Sequence, residues 1–272
     1  MSESLEHVPS IGIFDSGVGG LLTMKHIVEL LPNYNYIYFG DTVNMPYGEK
    51  NKDEVYALAC RGVEFLFNQG CVLVVVACNS ISSGALRRIQ QEFLPGRFPG
   101  RKVLGVVIPL VQEAVEQGAR RIGVIATPLT VKHGAYTRET NKANKDIMIF
   151  EQAAPGLARM IEENDKSEVA RMLEMYLAFP LQKDIDTLIL GCTHFSVIRK
   201  NICQVVGDDV RVVCQEKALP KRLAEYLTRH SEIRIQLGQG DGRRFVVSKV
   251  HPHILRLARE WFGDEIVLET ST

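Results

Sequence analysis

Two stretches of the chain each predict a buried strand that ends in a cysteine, and together they constrain the fold more than any other feature. Residues 74–80 read VVVACNS, and residues 188–194 read LILGCTH. An uncharged aliphatic run is typical of a strand that is covered on both faces, as in a parallel sheet. In open α/β sheets, ligands bind beyond the carboxyl ends of the strands. Cys78 and Cys192 therefore lie where such a fold places reactive groups.

The two stretches belong to an internal repeat. Residues 11–14 (IGIF) match residues 122–125 (IGVI) at an offset of 111, and Cys78 precedes Cys192 by 114. Further matches keep the same order, and one three-residue length difference reconciles the two offsets. The repeat predicts two related α/β units, each with one cysteine at a strand end. A pseudo-twofold axis between them would place both cysteines beside one cleft, a common position for a small-molecule site.

Predicted strands and helices alternate along nearly the whole chain. This alternation predicts an α/β fold with two pseudo-symmetric, doubly wound and mostly parallel sheet domains that face each other across a cleft. The proline and glycine cluster at 95–100 predicts the first crossing between domains. Three local predictions accompany this scheme: single helices over 81–93 and 131–140, and a strand over 233–237.

The charge balance and hydropathy of the chain narrow the class of partner. The 272 residues include 32 Lys and Arg and 32 Asp and Glu, and this balance argues against a nucleic-acid-binding protein. We find no apolar run of the ~20 residues that a membrane helix needs. Residues 1–10 also lack the apolar segment of a signal peptide. We therefore expect a cytoplasmic protein without membrane or nucleic-acid partners.

The six cysteines show no spacing that is typical of a metal site. They stand at 60, 71, 78, 192, 203 and 214, without a CxxC pair. In a reducing compartment they should be free thiols. We therefore expect neither disulfides nor a metal ion.

A polar, glycine-rich loop, DSGVGG at residues 15–20, follows the first predicted strand. Its glycines do not fit a dinucleotide-binding or P-loop pattern, and Asp15 would repel a phosphate. The loop instead suits a small ligand with both charges. Asp15 would hold an amine, and the backbone amides would hold a carboxylate.

Two thiols that face each other suit the inversion of a carbon centre. One group must remove a proton from one face while a second group adds a proton to the other face. Cysteine can serve in both roles, because its ordinary pKa of ~8.5 responds to nearby charges. His194 could relay a proton or favour the thiolate of Cys192. Carboxylates in the Asp15 and Asp41 loops could tune Cys78 or hold an ammonium group.

These residues resemble a known family. The motifs are FDSGVGG at 14–20, GDT at 40–42 with PYG at 46–48, ACNS at 77–80 and LGCTH at 190–194. They resemble the glutamate racemases of the cofactor-independent aspartate/glutamate racemase superfamily, in the right order over residues 11–263. The resemblance implies interconversion of L- and D-glutamate for peptidoglycan, without metal or pyridoxal phosphate, by a homodimer.

The resemblance also implies domain limits and residue roles. The second domain, 100–213, would be inserted in a first domain made of 1–99 and 214–272. Cys78 and Cys192 would be the catalytic acid/bases, with Asp41 and Glu162 as supporting groups. The implied contacts with the acidic amino-acid substrate are Asp15, Ser16, Tyr47, Gly48, Asn79, Ser80, Thr193 and His194.

The chain departs from the family pattern at several positions. Ser80 stands where threonine is usual, and residues 81–83 (ISS) replace a run of small residues. Phe195 and Ser196 stand where Tyr-Pro is usual, and residues 154–156 (APG) replace a Cys-Pro start. Residues 214–216 (CQE) replace a turn of Asp or Asn followed by Ser. These departures leave both cysteines intact.

Other functions remain open on sequence grounds. An aspartate racemase or a racemase of several acidic amino acids would use the same cysteine pair, although the 15–20 loop and His194 favour glutamate. A thiol hydrolase or transferase would need a Cys–His pair in contact, and the second cysteine argues against it. A binding protein that kept the fold with weak turnover is the third possibility.

Overall fold

The computed structural model describes residues 8–271, and its core consists of two parallel sheets. A six-stranded sheet has the order β10-β9-β2-β1-β3-β4, and a four-stranded sheet has the order β6-β5-β7-β8. The strands are β1 (Ser10–Asp15), β2 (Asn35–Gly40), β3 (Cys71–Val76), β4 (Lys102–Gly105), β5 (Arg121–Ala126), β6 (Met148–Ala153), β7 (Thr187–Gly191), β8 (Arg211–Val213), β9 (Arg243–Val247) and β10 (Leu268–Thr270).

Helices connect and cover these strands. Short 3-10 turns also occur at Tyr47–Glu49 and Thr193–Ser196, and a π-helical segment at Ile89–Phe93. The α-helices are α1 (Gly20–Leu30), α2 (Lys52–Asn68), α3 (Asn79–Gly84), α4 (Leu86–Arg88), α5 (Leu94–Arg97), α6 (Val107–Glu116), α7 (Pro128–His133), α8 (Ala135–Ala143), α9 (Leu157–Glu163), α10 (Lys166–Leu181), α11 (Arg199–Val206), α12 (Gln215–Arg229), α13 (Ser231–Leu237) and α14 (Pro252–Trp261).

Local sequence explains where several of these elements begin. The Asn51 side chain caps α2 by accepting a hydrogen bond from the Glu54 amide at 2.9 Å. Thr127 caps α7, and Pro128 follows at the first helical position, where a proline costs no hydrogen bond. Every residue of β1 and of β3 is buried, as an uncharged strand in a covered parallel sheet requires.

All paired strands in both sheets run parallel, so the predicted α/β class with two parallel sheets is confirmed. The strands of the four-stranded sheet are inserted between β4 and β9 of the larger sheet. Helix α12 follows β8 and packs against α1 and α6. The chain then returns to the larger sheet through β9.

The predicted domain crossing at 95–100 needs a correction. β4 pairs with β3, so that Val103 lies beside Val74, and β4 is the edge strand of the larger sheet. The chain therefore leaves this sheet only after Gly105, beyond the predicted limit at 99. The proline and glycine cluster ends a helix and turns the chain into β4, which explains why it resembles a domain linker.

Three local predictions were wrong in detail. Residues 233–237 form part of helix α13, because Ile233 and Leu237 are buried one turn apart while Ile235 is 77% exposed. The helix expected over 81–93 breaks into α3, α4 and the π-helical segment. The helix expected over 131–140 divides at Gly134, whose φ of 53° lies in the left-handed region.

The residues behind the signal-peptide prediction, 1–10, lie mostly outside the described range. None of the helices found between residues 8 and 271 combines the length and the hydropathy that spanning a bilayer requires.

Candidate active site

Both strand-end cysteines line one cavity of about 480 Å³. Cys78 follows β3 and precedes α3, while Cys192 follows β7 and precedes the 3-10 turn Thr193–Ser196. The cavity lies at the carboxyl ends of the strands of both sheets, where α/β folds bind ligands. The repeat therefore predicted the meeting of the two cysteines correctly.

The cavity gathers most of the residues that the sequence singled out. Besides the two cysteines, its wall includes Ser16, Tyr47, Gly48, Asn79, Ser80, Glu162, Thr193 and His194. Asp15 and Asp41 do not line it. Both carboxyl groups instead support residues that do.

Asp15 lies behind Cys78 and is fully buried. Its Oδ2 accepts a hydrogen bond from the Gly20 amide at 2.6 Å, and its Oδ1 has no partner among the described residues. Burial raises the pKa of this carboxyl group, although the charge of His194 and the Gly20 amide oppose the rise. Asp15 is not among the residues that line the cavity, so its contact with a ligand amine stays a prediction.

Cys78 has a poor environment for a thiolate. Its Sγ lies 3.4 Å from the Ser16 hydroxyl oxygen. Burial raises the pKa of Cys78 to about 12, and the negative charge of Asp15 adds to the rise. The hydrogen bonds with Ser16 and the Ile81 amide oppose it without reversing it. Cys78 is therefore a protonated thiol at neutral pH.

Cys192 stands beside an imidazole that is itself supported by a carboxylate. Its Sγ lies 3.8 Å from Nδ1 of His194, and His194 Nε2 lies 2.6 Å from Oε1 of Glu162. Burial would lower the pKa of His194, but hydrogen bonds and charge interactions with Cys192 and Glu162 raise it well above its ordinary value. The edge of Trp261 packs against the imidazole, with ring centroids 5.4 Å apart.

Glu162 completes this arrangement. Burial would raise its pKa, but the hydrogen bond and charge of His194 lower it, so the carboxylate stays ionised. His253 also approaches, with Nε2 at 3.7 Å from Glu162 Oε2. The supporting role that the resemblance implied for Glu162 stays a prediction, and its contact with His194 is compatible with it. A charged imidazole of this kind stabilises a neighbouring thiolate.

Asp41 holds the turn that carries Tyr47 and Gly48. The Tyr47 hydroxyl donates to Asp41 Oδ2 at 2.6 Å, and Asn44 Nδ2 donates to both oxygens of the same carboxylate. Gly48 faces the second unit so closely that an added Cβ would lie 2.6 Å from Cβ of Thr127. Only glycine fits at this approach.

Thr127 and His253 are among the cavity-wall residues that the sequence did not assign to the site. The Thr127 hydroxyl lies 3.0 Å from that of Ser80, so the two units meet there through a hydrogen bond. The repeat held the signal for Thr127, because Ser16 and Thr127 stand at the offset of 111. The sequence held no comparable signal for His253, which lies in α14.

The cavity wall offers hydroxyl, amide, thiol, imidazole and carboxylate groups. Among residues 8–271, no group of three or more His, Cys, Asp or Glu side chains is arranged to hold a metal ion.

Fold and cavity together define a two-sheet α/β protein with paired thiols at one small-molecule site. A model of the Asp/Glu/hydantoin racemase family matches residues 11–219. The chain therefore belongs to this family, and the predicted enzyme class, an isomerase of the amino-acid racemase type, is confirmed.

Named relatives extend the comparison. The chain is 41% identical to a glutamate racemase from Desulforudis audaxviator over 207 residues, which cover 75% of this chain and 74% of the relative. A solved structure of glutamate racemase isoform RacE1 from Bacillus anthracis gives a TM-score of 0.88 at 29% identity, and a Francisella tularensis glutamate racemase in complex with D-glutamate gives 0.87 at 29%. Each alignment covers 98% of both chains.

Proposed function

We propose that this protein is a glutamate racemase that interconverts L- and D-glutamate with Cys78 and Cys192 as its two acid/base groups. The observation that carries the proposal is that the two thiols, from equivalent strand ends of two related units, line one cavity. The names of the relatives support glutamate as the substrate. The Francisella tularensis structure, which contains D-glutamate, supports an acidic amino acid as the ligand.

In the proposed mechanism each direction uses both cysteines once. One cysteine thiolate takes the α-proton, so that the Cα–H bond breaks and an S–H bond forms. The thiol on the opposite face then gives its proton to Cα and becomes a thiolate. Racemisation therefore leaves the proton on the other sulfur, and the enzyme is ready for the mirror-image reaction.

The surroundings of the two cysteines differ in charge, and this difference suggests a role for each thiol. The raised pKa of Cys78 keeps this residue protonated. The raised pKa of His194 keeps a positive charge beside Cys192. We propose that Cys78 holds the proton that is delivered to Cα when Cys192 removes the α-proton.

The remaining wall residues would bind and orient the amino acid. We propose that Ser16, Ser80 and Thr193 contact its polar groups together with Asn79, and that the Tyr47–Gly48 turn closes the opposite end. Asp41 holds this turn, and Glu162 orients His194. The charge of Asp15 acts on Cys78, and we propose that this carboxylate also attracts the ammonium group of the amino acid.

We further propose that the D-glutamate product supplies peptidoglycan synthesis in the cytoplasm, and that the enzyme acts as a homodimer. The resemblance of the motifs to glutamate racemases supports these three statements. Chromatography coupled to light scattering tests the assembly, and a monomer at assay concentrations would contradict it.

Incubation of the reduced protein with L-glutamate in D₂O tests the proposed function. We expect loss of the α-proton signal by NMR together with the appearance of D-glutamate on a chiral column. L-Aspartate, assayed in parallel, separates glutamate from the broader acidic substrates and should react at least about 100-fold more slowly, a factor equal to about 2.7 kcal/mol. Comparable aspartate rates would favour a broad acidic racemase, and the absence of both products would contradict racemisation.

A further inference from the structure

The buried side chain of Gln215 holds the residues on both sides of Cys78. Gln215 is the first residue of α12 and is fully buried. Its Oε1 accepts a hydrogen bond from Asn79 Nδ2 at 2.9 Å, and its Nε2 reaches the carbonyl oxygen of Ala77 at 3.4 Å. The same Nε2 donates to Thr23 Oγ1 at 2.5 Å, which anchors the amide to α1.

The hydrogen bonds continue into the second unit. The hydroxyl of Tyr136, in α8, donates to Asn79 Oδ1 at 2.5 Å. Tyr136 is fully buried, and a Cβ added to Gly191 would lie 3.3 Å from its ring. Gly191 directly precedes Cys192. The set Gln215, Asn79 and Tyr136, here called the glutamine bridge, therefore connects the flank of Cys78 with the flank of Cys192.

We propose that Gln215 is a positioning residue that fixes Cys78 relative to Cys192 across the cavity. This inference rests on the proposed racemase function and deepens it. Proton transfer at Cα requires both sulfurs at the right distance, and a displacement of about 1 Å can cost about 100-fold in rate. A buried amide with its partners satisfied is well suited to hold such a distance.

Gln215 lies at a position where this chain departs from the family pattern. Residues 214–216 (CQE) replace a turn in which serine is usual, and a serine side chain is two atoms shorter than glutamine. Serine at 215 could not span from Thr23 to Asn79. Tyr136 and Gln215 engage both polar atoms of the Asn79 side chain, and the second Nδ2 hydrogen of Asn79 is left for the proposed contact with the amino acid.

The Gln215→Leu variant tests the proposal, because leucine has a similar volume and removes both polar atoms. We expect kcat to fall about 10- to 100-fold while KM stays within about threefold. The α-deuterium isotope effect on kcat should rise, because proton transfer becomes more rate-limiting. Gln117→Leu is the matched control, since Gln117 is exposed directly after α6 and its side chain bonds only Glu113. A folded Gln215→Leu protein with unchanged kcat and isotope effect, even with a lower melting temperature, would overturn the proposal.

Tyr136→Phe removes a single hydroxyl from the far end of the bridge. We expect it to lower kcat about three- to tenfold and to raise the same isotope effect, since one buried hydrogen bond of the bridge is lost. If Gln215→Leu does not fold, Tyr136→Phe tests the proposal in its place. An unchanged isotope effect in folded Tyr136→Phe would then overturn the proposal.

Thiol alkylation provides a measurement that does not depend on turnover. Iodoacetamide labelling followed by peptide mass spectrometry should show Cys78 reacting several-fold faster in Gln215→Leu, because its backbone is no longer held. The half-buried Cys60 serves as the internal reference. If the wild-type protein does not racemise glutamate, the proposed function fails while this measurement still decides the bridge. An unchanged rate at Cys78 relative to Cys60 contradicts it.

Discussion

The surroundings of Cys78 and Cys192 differ far more than their positions in the fold. Both follow a buried parallel strand, and both line the same cavity. Cys78 has a hydroxyl at 3.4 Å and a buried carboxyl group behind it. Cys192 has an imidazole at 3.8 Å, and Glu162 holds that imidazole from the far side. The repeated backbone therefore carries two opposite electrostatic environments.

This contrast shows that a reaction between mirror images does not require a symmetric catalytic site. Two enantiomers have equal free energy, so the equilibrium constant of racemisation is one in an achiral solvent. The protein need not treat the two faces alike. Burial and Asp15 keep the proton on Cys78, while the His194–Glu162 pair places a positive charge beside Cys192. The two faces of the cavity therefore differ in charge, although the two cysteines occupy equivalent positions.

Removal of either thiol gives the largest expected effect. Cys78→Ala and Cys192→Ala should each lower kcat/KM by about 10³-fold or more, close to the range seen for a lost acid/base group. Because each direction uses both cysteines, the loss should be equal for L- and D-glutamate. Racemisation followed by circular dichroism of the substrate measures it.

Proton exchange in D₂O then distinguishes the two variants. The remaining cysteine can still take the α-proton from its own face and return a deuteron to it. We expect slow α-deuteration without inversion for one enantiomer in Cys78→Ala and for the other enantiomer in Cys192→Ala. Cys60→Ala, outside the cavity, is the matched control. Full racemisation by either cavity variant would refute the two-base assignment.

Glu162→Gln weakens the support of the His194 imidazole beside Cys192. Its effect on activity should be smaller than that of removing either thiol. The variant keeps the shape of the side chain but removes the charge that helps to raise the pKa of His194. We expect kcat/KM to fall about 10- to 100-fold, or about 1.4 to 2.7 kcal/mol. The basic limb of the pH–rate profile should move to lower pH, because His194 then loses its proton more easily. An unmoved basic limb would show that His194 does not control it.

The same variant should change the pH dependence of stability. The folded pKa of His194 lies above the ~6.5 of an unfolded chain, so its stabilisation is complete below that pH and is lost as the pH rises through the folded pKa. The folded pKa of Glu162 is lowered, so its stabilisation is present above about pH 4.3 and is lost as the pH falls through the folded pKa. Melting temperatures of wild type and Glu162→Gln should therefore differ most between about pH 4.3 and 6.5. Glu163→Gln, on the exposed neighbour, is the matched control.

Much of the fold could be predicted from the sequence because its strands are short, uncharged and fully buried. The alternation of such strands with helices requires parallel sheets, and the repeat requires two of them. The errors arose where one pattern fits two structures. Ile233, Ile235 and Leu237 alternate as a strand would, and only the exposure of Ile235 distinguishes the helix. The cluster at 95–100 has the composition of a domain linker but ends a helix within the first unit.

The site could be predicted at its strand ends and not in its loops. A residue at the end of a buried parallel strand must emerge at one edge of the sheet, which fixed Cys78 and Cys192. The side chain of Asp15 could have pointed to either side. The loop closes over it, since a Cβ at Gly20 would lie 2.8 Å from Cβ of Asp15. Gln215 stands 137 positions after Cys78, and no local pattern relates the two.

Asp15→Asn tests how the Asp15 carboxylate affects Cys78, and it should have the smallest effect of these variants. Asparagine keeps an oxygen for the Gly20 amide, so the loop should hold its shape. The negative charge that helps to raise the pKa of Cys78 is lost, and the pKa of this thiol should fall while burial keeps it above the ordinary value. We expect Cys78 to react with iodoacetamide a few-fold faster between pH 7 and 9, with Cys192 changed less. Asp53→Asn, at an exposed site on α2, is the control. If alkylation of Cys78 slows instead, Asp15 acts as the base that accepts the thiol proton, and the contrast between the two cysteines must be attributed to His194 alone.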